Sequence, residues 1–280
     1  MRPSLSAVSI LIPLVLGFLA GDPAVGEDSA AERDESWALD GRDIYDRFLD
    51  NKHKESHQRI RVISRDPGGN ELLTEAEVSL QDFRDEQDQP VDGVRAKVLI
   101  EVTAPFDIRH TAYLVIVRDE GSDDEFVYQP SARRVRRVDL RNTSLFGTDF
   151  TAADVGYRSI DDARYRRLPD EVVQGKPVFV VESRVKDEVD SDYRKIVTYI
   201  EKQHYVALRA RFWDRYDVEI KELTAPAASM RRFGQQWITT ETTIRDLRQG
   251  TSSTLYVDEL ETDPGFHKKI FAVSRLAQGN

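Results

Sequence analysis

A period-two alternation of apolar and polar residues runs through most of the chain and constrains its fold more than any other feature. Successive side chains of a β-strand point to opposite faces of a sheet, so this pattern predicts strands with one buried face. It is clearest over residues 94–103, VRAKVLIEVT. Residues 111–117 are apolar at both odd and even positions, which predicts a strand covered on both faces. The segment DPGGN at residues 66–70 predicts a turn between two strands.

The alternating segments predict about a dozen strands joined by short turns. Helical patterns are confined to residues 37–50, residues 267–276 and a short stretch in the middle of the chain. A long antiparallel sheet must bury its apolar face and curls as it twists. The predicted fold class is therefore α+β and mainly antiparallel β, in a single domain over residues 37–280.

The first residues of the chain have the pattern of an export signal. Met1 and Arg2 precede a mostly apolar run with small residues after it, which predicts a signal peptide over residues 1–26 that is cleaved. An uncleaved membrane anchor is the alternative, but the run is short and is interrupted by Pro13. Residues 27–36 are small and acidic, which predicts a disordered linker. The mature protein is expected in the periplasm.

Composition excludes several classes of function. The chain has 40 Lys and Arg against 50 Asp and Glu, a net charge of −10. A general nucleic-acid binder needs a basic surface, so no nucleic-acid partner is expected. The chain has no cysteine, which excludes disulfides, thiolate metal sites and thiol nucleophiles.

No motif in the sequence indicates an enzyme, a cofactor site or a metal site. The nucleophile elbow, the P-loop and the dinucleotide fingerprint are all absent. His53 and His57 are four residues apart, but Lys54 stands where a zinc protease needs glutamate, so this spacing indicates a solvated helix end. His110 would form a catalytic pair only if the fold brought it to Asp149.

One segment concentrates positive charge in this acidic chain. Arg133, Arg134, Arg136 and Arg137 lie within five residues. They would belong to an edge strand whose arginines bridge surface carboxylates, or they would anchor an anionic head group or a partner, because guanidinium groups grip phosphate and carboxylate. RNA binding is a third and poorer interpretation.

Four segments, in order, resemble the bacterial outer-membrane lipoprotein-sorting protein family, whose fold is similar to that of LolA and LolB. PFDIRHTAYL at 105–114 is like that family's P-x-D-x-R-G-T-x-F-L. FVYQPSARRVRR at 126–137 is like its W-x-Y-x-P-x-x-R-R-V-R-R, and SLFGTDFTAAD at 144–154 is like its S-F-x-G-S-D-F-S-Y-E-D. A weaker likeness covers 205–221. His110 replaces the family glycine, which suggests a changed turn.

The resemblance implies an unclosed (half) β-barrel with helices covering its concave face. It also implies a carrier that holds acyl chains of a lipid or lipoprotein between sheet and helices, makes transient membrane contact, and works with an inner-membrane RND-type exporter. An apolar groove suits such cargo because about 0.8 kcal/mol per CH₂ opposes exposure of a hydrocarbon chain to water. A carrier of this kind needs no catalytic residue.

Groove candidates are taken from the more apolar strand faces, together with Phe146 and Phe150 on a loop that would gate the groove. The full set is Val98, Ile100, Leu114, Ile116, Phe126, Tyr128, Phe146, Phe150, Val180, Leu208, Ala210 and Phe212. Plain core packing is the alternative for each residue. A non-enzymatic assembly module docking a transporter through the basic strand, and an enzyme built on a lipid-carrier fold, remain alternatives for the function.

Overall fold

The structure is a computed structural model that describes residues 39–85, 87, 89–140, 144–151, 154, 160–187, 189, 191–267 and 269–276. Two α-helices have both ends in this part of the chain, α1 (Gly41–Asp50) and α2 (Val273–Leu276); short 3₁₀ helices lie at Pro130–Ala132, Ile160–Asp162 and Ala227–Ser229, and Asp154 is also helical. The strands are β1 (Glu55–Arg65), β2 (Glu71–Asp82), β3 (Val94–Ala104), β4 (Ala112–Arg118), β5 (Asp124–Gln129), β6 (Arg134–Arg137), β7 (Ala163–Val173), β8 (Lys176–Val185), β9 (Lys195–Glu201), β10 (Ala207–Trp213), β11 (Glu219–Thr224), β12 (Met230–Phe233), β13 (Gln236–Thr239), β14 (Glu241–Asp246) and β15 (Thr251–Thr262).

Thirteen strands form one antiparallel sheet in the order β6-β5-β4-β3-β2-β1-β15-β14-β11-β10-β9-β8-β7. The two end strands, β6 and β7, do not pair with each other, so the sheet is unclosed. A separate hairpin, β12–β13, is inserted between β11 and β14. The predicted fold class, a mainly antiparallel half-barrel, is confirmed.

The ladder register defines an inner face of the sheet. Ile60 lies opposite Ala76 on one side and Val257 on the other, and Val78 lies opposite Ile100. One buried cluster joins residues of β3 and β14 on this face. Those two strands would be about 19 Å apart in a flat sheet, so their shared core requires strong curvature.

Among the described residues, helix α1 and two non-helical segments cover the inner face. Helix α1 starts at an N-cap, Asp40, whose carboxylate accepts hydrogen bonds from two backbone amides of the first turn. The side chains of Ile44 and Phe48, on the buried side of α1, pack against Phe179 and Ile200 of the sheet. Farther along the sheet the cover consists of the hairpin β12–β13 and residues 144–151, which we call the inner loop. Helix α1 thus provides the predicted cover by a helix, and the hairpin and the inner loop add to it.

The opposite, outer face is covered by a C-terminal segment comprising residues 263–267 and 269–276. Phe271 and Leu276 of this segment are buried against Leu99 and Leu114. Strand β4 is therefore covered on both faces, as its sequence predicts. Helix α2 is shorter than the helix predicted over 267–276. Strand β7 escaped prediction because it is an exposed edge strand with few apolar residues.

The predicted signal peptide over 1–26 and linker over 27–36 lie outside the described residues. Within the part of the chain that the structure describes, every helix is too short or too polar to cross a membrane. The same residues contain no cluster of three or more side chains suited to hold a metal ion.

Candidate functional site

An apolar cavity of about 80 Å³ lies on the inner face beneath the inner loop. The sheet supplies its floor from β1, β2, β3 and β15, and the inner loop supplies its roof. The lining residues are Gln58, Ile60, Val62, Val78, Leu80, Val98, Ile100, Leu145, Phe146, Thr148, Phe150 and Leu255. Nearly all are aliphatic or aromatic, so the cavity suits a hydrocarbon group and offers no acid–base chemistry.

Two phenylalanines of the inner loop point into this cavity. Phe150 is buried in the core of the inner face, and Phe146 packs edge-on against Tyr113 with ring centroids 5.1 Å apart. Phe146 has a left-handed backbone conformation, φ +58°, and Gly147 follows it at φ +73°. A bulky residue seldom adopts this conformation, because its Cβ crowds the following carbonyl oxygen. The inner loop thus holds an aromatic ring in the cavity at a conformational cost.

Polar contacts hold the other side of the inner loop. The Asp149 carboxylate accepts hydrogen bonds from the hydroxyls of Thr251 and Ser253 on β15, the latter at 2.6 Å. The Ser253 hydroxyl oxygen in turn accepts a hydrogen bond from the Asp149 amide at 2.9 Å. The loop is therefore amphipathic, with aromatic rings toward the cavity and a carboxylate toward the end of β15.

A buried ion pair, which we call the latch, fixes the chain just after the inner loop. Lys221 Nζ of β11 donates to Asp154 Oδ2 at 2.7 Å and to the Asp149 carbonyl oxygen at 2.9 Å. The Tyr193 hydroxyl donates to Asp154 Oδ1 at 2.6 Å, and the Thr151 amide donates to Oδ2. Burial, together with the neighbouring Asp154 carboxylate, raises the pKa of Tyr193 well above its usual value.

The structure brings together four of the predicted groove residues. Val98, Ile100, Phe146 and Phe150 line the cavity. Phe212 and Ala210 lie elsewhere, in a core cluster with Tyr193.

The other predicted groove residues do not line this cavity either. Val180 and Leu208 pack in a cluster with Met230 of the hairpin. A further group is on the outer face beneath the C-terminal segment, namely Leu114, Ile116, Phe126 and Tyr128. The reason is that β4 and its neighbours are apolar on both faces, so periodicity alone does not say which face is inner.

Sequence reasoning missed several residues of the cavity wall. Ile60, Val62, Val78 and Leu80 belong to strands whose alternation is visible in the sequence, but nothing local marks them as cavity residues. Leu255 joins them through the pairing of β1 with β15, which are about 190 residues apart in the chain. Only the sheet order reveals this wall.

Comparison with known proteins identifies the fold. A family model with the description "-like: Uncharacterized protein" matches residues 95–278. A putative outer membrane lipoprotein-sorting protein domain from Vibrio parahaemolyticus superposes with a TM-score of 0.74 at 24% identity, covering 85% of this chain and 98% of that one. The chain belongs to the matched family, and its fold is LolA-like.

Two further structures share the LolA-like fold. A DUF1329 family protein from Desulfovibrio piger has a TM-score of 0.76 at 22% identity, covering 84% of this chain and 97% of that one. A LolA superfamily protein from Nitrosomonas europaea has a TM-score of 0.66 at 16% identity, covering 85% and 99%. No curated protein matches the chain. At these identities the likeness concerns the fold alone.

The basic segment occupies one open edge of the LolA-like sheet. Strand β6 is the end strand, and Arg134, Arg136 and Arg137 on it are exposed. Arg137 pairs with Asp124 at 2.6 Å, as expected for arginines that bridge surface carboxylates. Within the described residues, Arg134 and Arg136 have no carboxylate partner. The segment is thus an edge strand with two arginines available to a ligand.

Among the described contacts, His110 and Asp149 do not hydrogen-bond to each other. His110 is exposed in the turn between β3 and β4, whereas the Asp149 carboxylate is engaged by β15. The predicted solvated helix end at His53 and His57 is wrong, because both follow α1 and His57 is in β1. His53 is buried with its Nε2 atom unpartnered, and burial lowers its pKa.

Proposed function

We propose that this protein is a periplasmic carrier that binds the acyl chain of a lipid or lipoprotein on its inner face. The observation that carries the proposal is the apolar cavity whose roof consists of two phenylalanines from a loop secured by polar contacts. A hydrocarbon chain would take the place of those rings. Carriage of this kind needs no catalytic residue, and we propose no enzymatic activity.

The inner loop must move before a long chain can enter. An apolar cavity of about 150 Å³ accommodates benzene. A cavity of about 80 Å³ is therefore closed to a long acyl chain while Phe146 and Phe150 remain in place. The described structure corresponds to the unloaded state of the proposed carrier.

The free energy of replacing the two phenylalanine rings by an acyl chain favours long acyl chains over short ones. Withdrawing two phenylalanine rings from the core costs up to about 6 kcal/mol, whereas a sixteen-carbon chain gains roughly 12 kcal/mol on burial. Release of the strained conformation at Phe146 lowers the cost of opening. We therefore expect chains shorter than about eight carbons to leave the inner loop closed.

The proposal includes the membranes between which the cargo moves and the transporter with which the carrier works. The carrier would move its cargo between the envelope membranes and receive or deliver it at an RND-type exporter of the inner membrane. Support comes from the LolA-like fold and from the resemblance of four segments to the lipoprotein-sorting family. Arg134 and Arg136 at the open edge are the proposed contacts for an anionic head group or for the exporter.

Retention of lipid by the purified protein tests the proposal. Protein prepared without detergent should release a bound lipid to mass spectrometry, and delipidated protein should bind a fluorescent long-chain fatty acid. Val98→Phe, which fills the cavity, should weaken binding roughly tenfold. Val135→Phe places the same side chain on the outer face and should leave binding unchanged.

Two experimental outcomes would contradict the proposal that this protein is a carrier. Protein without bound lipid that also fails to bind fatty acid would exclude an acyl-chain site. Equal effects of Val98→Phe and Val135→Phe would show that binding occurs away from the cavity.

An envelope assembly module is the second candidate, and the unpaired arginines of β6 favour it. Neutralising Arg133, Arg134, Arg136 and Arg137 with glutamine should then abolish capture of the partner transporter while lipid retention stays unchanged. Loss of lipid retention with partner capture intact would instead identify the arginines as a head-group site.

A further inference from the structure

The exposed hydrophobic side chains of this protein are concentrated at one end of the sheet. Because all neighbouring strands are antiparallel, the turns β1–β2, β3–β4, β10–β11 and β14–β15 lie at the same end. Eight large hydrophobic side chains are exposed within the described residues, and six of them are on or beside these four turns. Those six are Leu72, Leu73, Phe106, Tyr216, Val218 and Leu247.

These four turns, which we call the rim, form a continuous arc. Their strands are consecutive in the sheet order, from β3–β4 through β1–β2 and β14–β15 to β10–β11. Arg248 forms an ion pair with Asp214 and so joins two of the turns. Gly250 lies beside Pro67, which joins β14–β15 to β1–β2. The rim is therefore one surface.

Charged side chains of both signs flank the hydrophobic residues of the rim. Phe106 is 90% exposed and is followed closely by Arg109, which has no ion-pair partner within the described chain. Tyr216 is 72% exposed and stacks with the guanidinium of Arg215 at 5.1 Å. Aromatic rings with a polar tip and arginines with apolar stems are suited to the boundary between lipid tails and head groups.

We infer that the rim docks on the surface of a lipid bilayer. The apolar side chains stand on separate turns, which suits a fluid surface that closes around each one. A protein interface has a contiguous, desolvated centre, whereas the exposed apolar side chains of the rim are distributed over four turns. The turns of the rim carry carboxylates as well as arginines, so burial of the apolar side chains, rather than net charge, would drive docking.

The rim also lies next to the inner loop. Gly147 and Asp149 share a polar cleft of about 340 Å³ with Asn70 and Gln249 of the rim turns. A bilayer bound at the rim therefore faces the polar contacts that hold the loop over the cavity. This part of the inference rests on the proposed function, whereas docking of the rim does not.

Vesicle flotation tests the inference. The protein without residues 1–26 should float with phosphatidylcholine vesicles, whether or not they also contain phosphatidylglycerol. Phe106→Ser combined with Tyr216→Ser and Leu247→Ser should reduce the bound fraction at least roughly fivefold. Val91→Ser with Val172→Ser, which removes the two exposed hydrophobic residues of the other end, is the matched control.

Absence of flotation, or equal loss in the rim variant and the control, would overturn the inference. Because the chain has no cysteine, an environment-sensitive dye attached to Phe106→Cys should shift to the blue on vesicles, while the same dye at Val91→Cys should not. Fatty-acid binding without vesicles should be equal in all variants. Flotation without fatty-acid binding would refute the carrier proposal but support docking of the rim. Fatty-acid binding without flotation would refute docking of the rim and leave the carrier proposal standing.

Discussion

Lys221 Nζ lies 2.7 Å from Asp154 Oδ2, and the side chain of Asp154 is fully buried. This contact joins β11 to the chain that follows the inner loop. Asp154 and Lys221 belong to two different segments that resemble the lipoprotein-sorting family, and the ion pair connects these segments. Tyr193 completes the arrangement through its hydroxyl. The latch therefore decides how firmly Phe146 and Phe150 stay over the cavity.

Breaking the latch should destabilise the protein and loosen the loop. Lys221→Met leaves Asp154 buried without its cation, and we expect a loss of about 3–5 kcal/mol in the free energy of unfolding. Lys221→Met combined with Asp154→Leu removes both charges and should cost less. Urea denaturation measures both, and equal losses in single and double variants would contradict the ion pair's role. In the double variant a long-chain fatty acid should bind more tightly, since its loop opens more readily.

Shortening the side chain that occupies the cavity should widen the range of ligands. Phe146→Ala removes about 1.5–3 kcal/mol of ring burial that an incoming chain must displace. We expect the shortest fatty acid that binds to become shorter by about two to four carbons. Competition against a fluorescent fatty acid over a series of chain lengths measures this limit. An unchanged limit would mean that Phe146 does not block entry.

A half-buried carboxyl on the turn between β4 and β5 should make stability depend on pH. Burial, and to a lesser extent the nearby Asp124, raises the pKa of Asp123 to about 6. A carboxyl with a raised pKa in the folded state stabilises the fold at low pH, and this contribution is lost as pH rises through about 6. Asp123→Asn should therefore gain about 2 kcal/mol relative to the natural protein between about pH 4.5 and about pH 7.5. Urea unfolding of both proteins at these two pH values measures the difference, with Glu120→Gln as an exposed control. A difference in stability between Asp123→Asn and the natural protein that is the same at both pH values would refute the prediction.

The first residue of α1 should tolerate no side chain. A Cβ at Gly41 would lie 2.6 Å from the backbone nitrogen of Arg167 on β7. Gly→Ala ordinarily stabilises a helix by up to about 1 kcal/mol, but here we expect a loss of about 1–3 kcal/mol because α1 must move off the sheet. Thermal or urea unfolding measures the change. Asp43→Ala in the same helical turn is the control, and a stabilising Gly41→Ala would disprove this close packing.

Local pattern was sufficient for most elements and insufficient for the site. Alternation predicted β3 and β4, and the spacing of Ile44 and Phe48 predicted α1. The same alternation placed Leu114 and Phe126 in a groove although they face the C-terminal segment. An isolated strand that is apolar on both sides has no inner face until its neighbours and covering elements are known.

The sequence by itself determined that this chain forms a large antiparallel sheet with apolar faces, because a period of two leaves few other ways to bury those residues. Its motifs also indicated the LolA-like fold. Tertiary structure alone decided which face is hollow, which side chains occupy the hollow, and that Asp154 meets Lys221. These facts depend on sheet order and on contacts between residues distant in the chain, which no local spacing encodes.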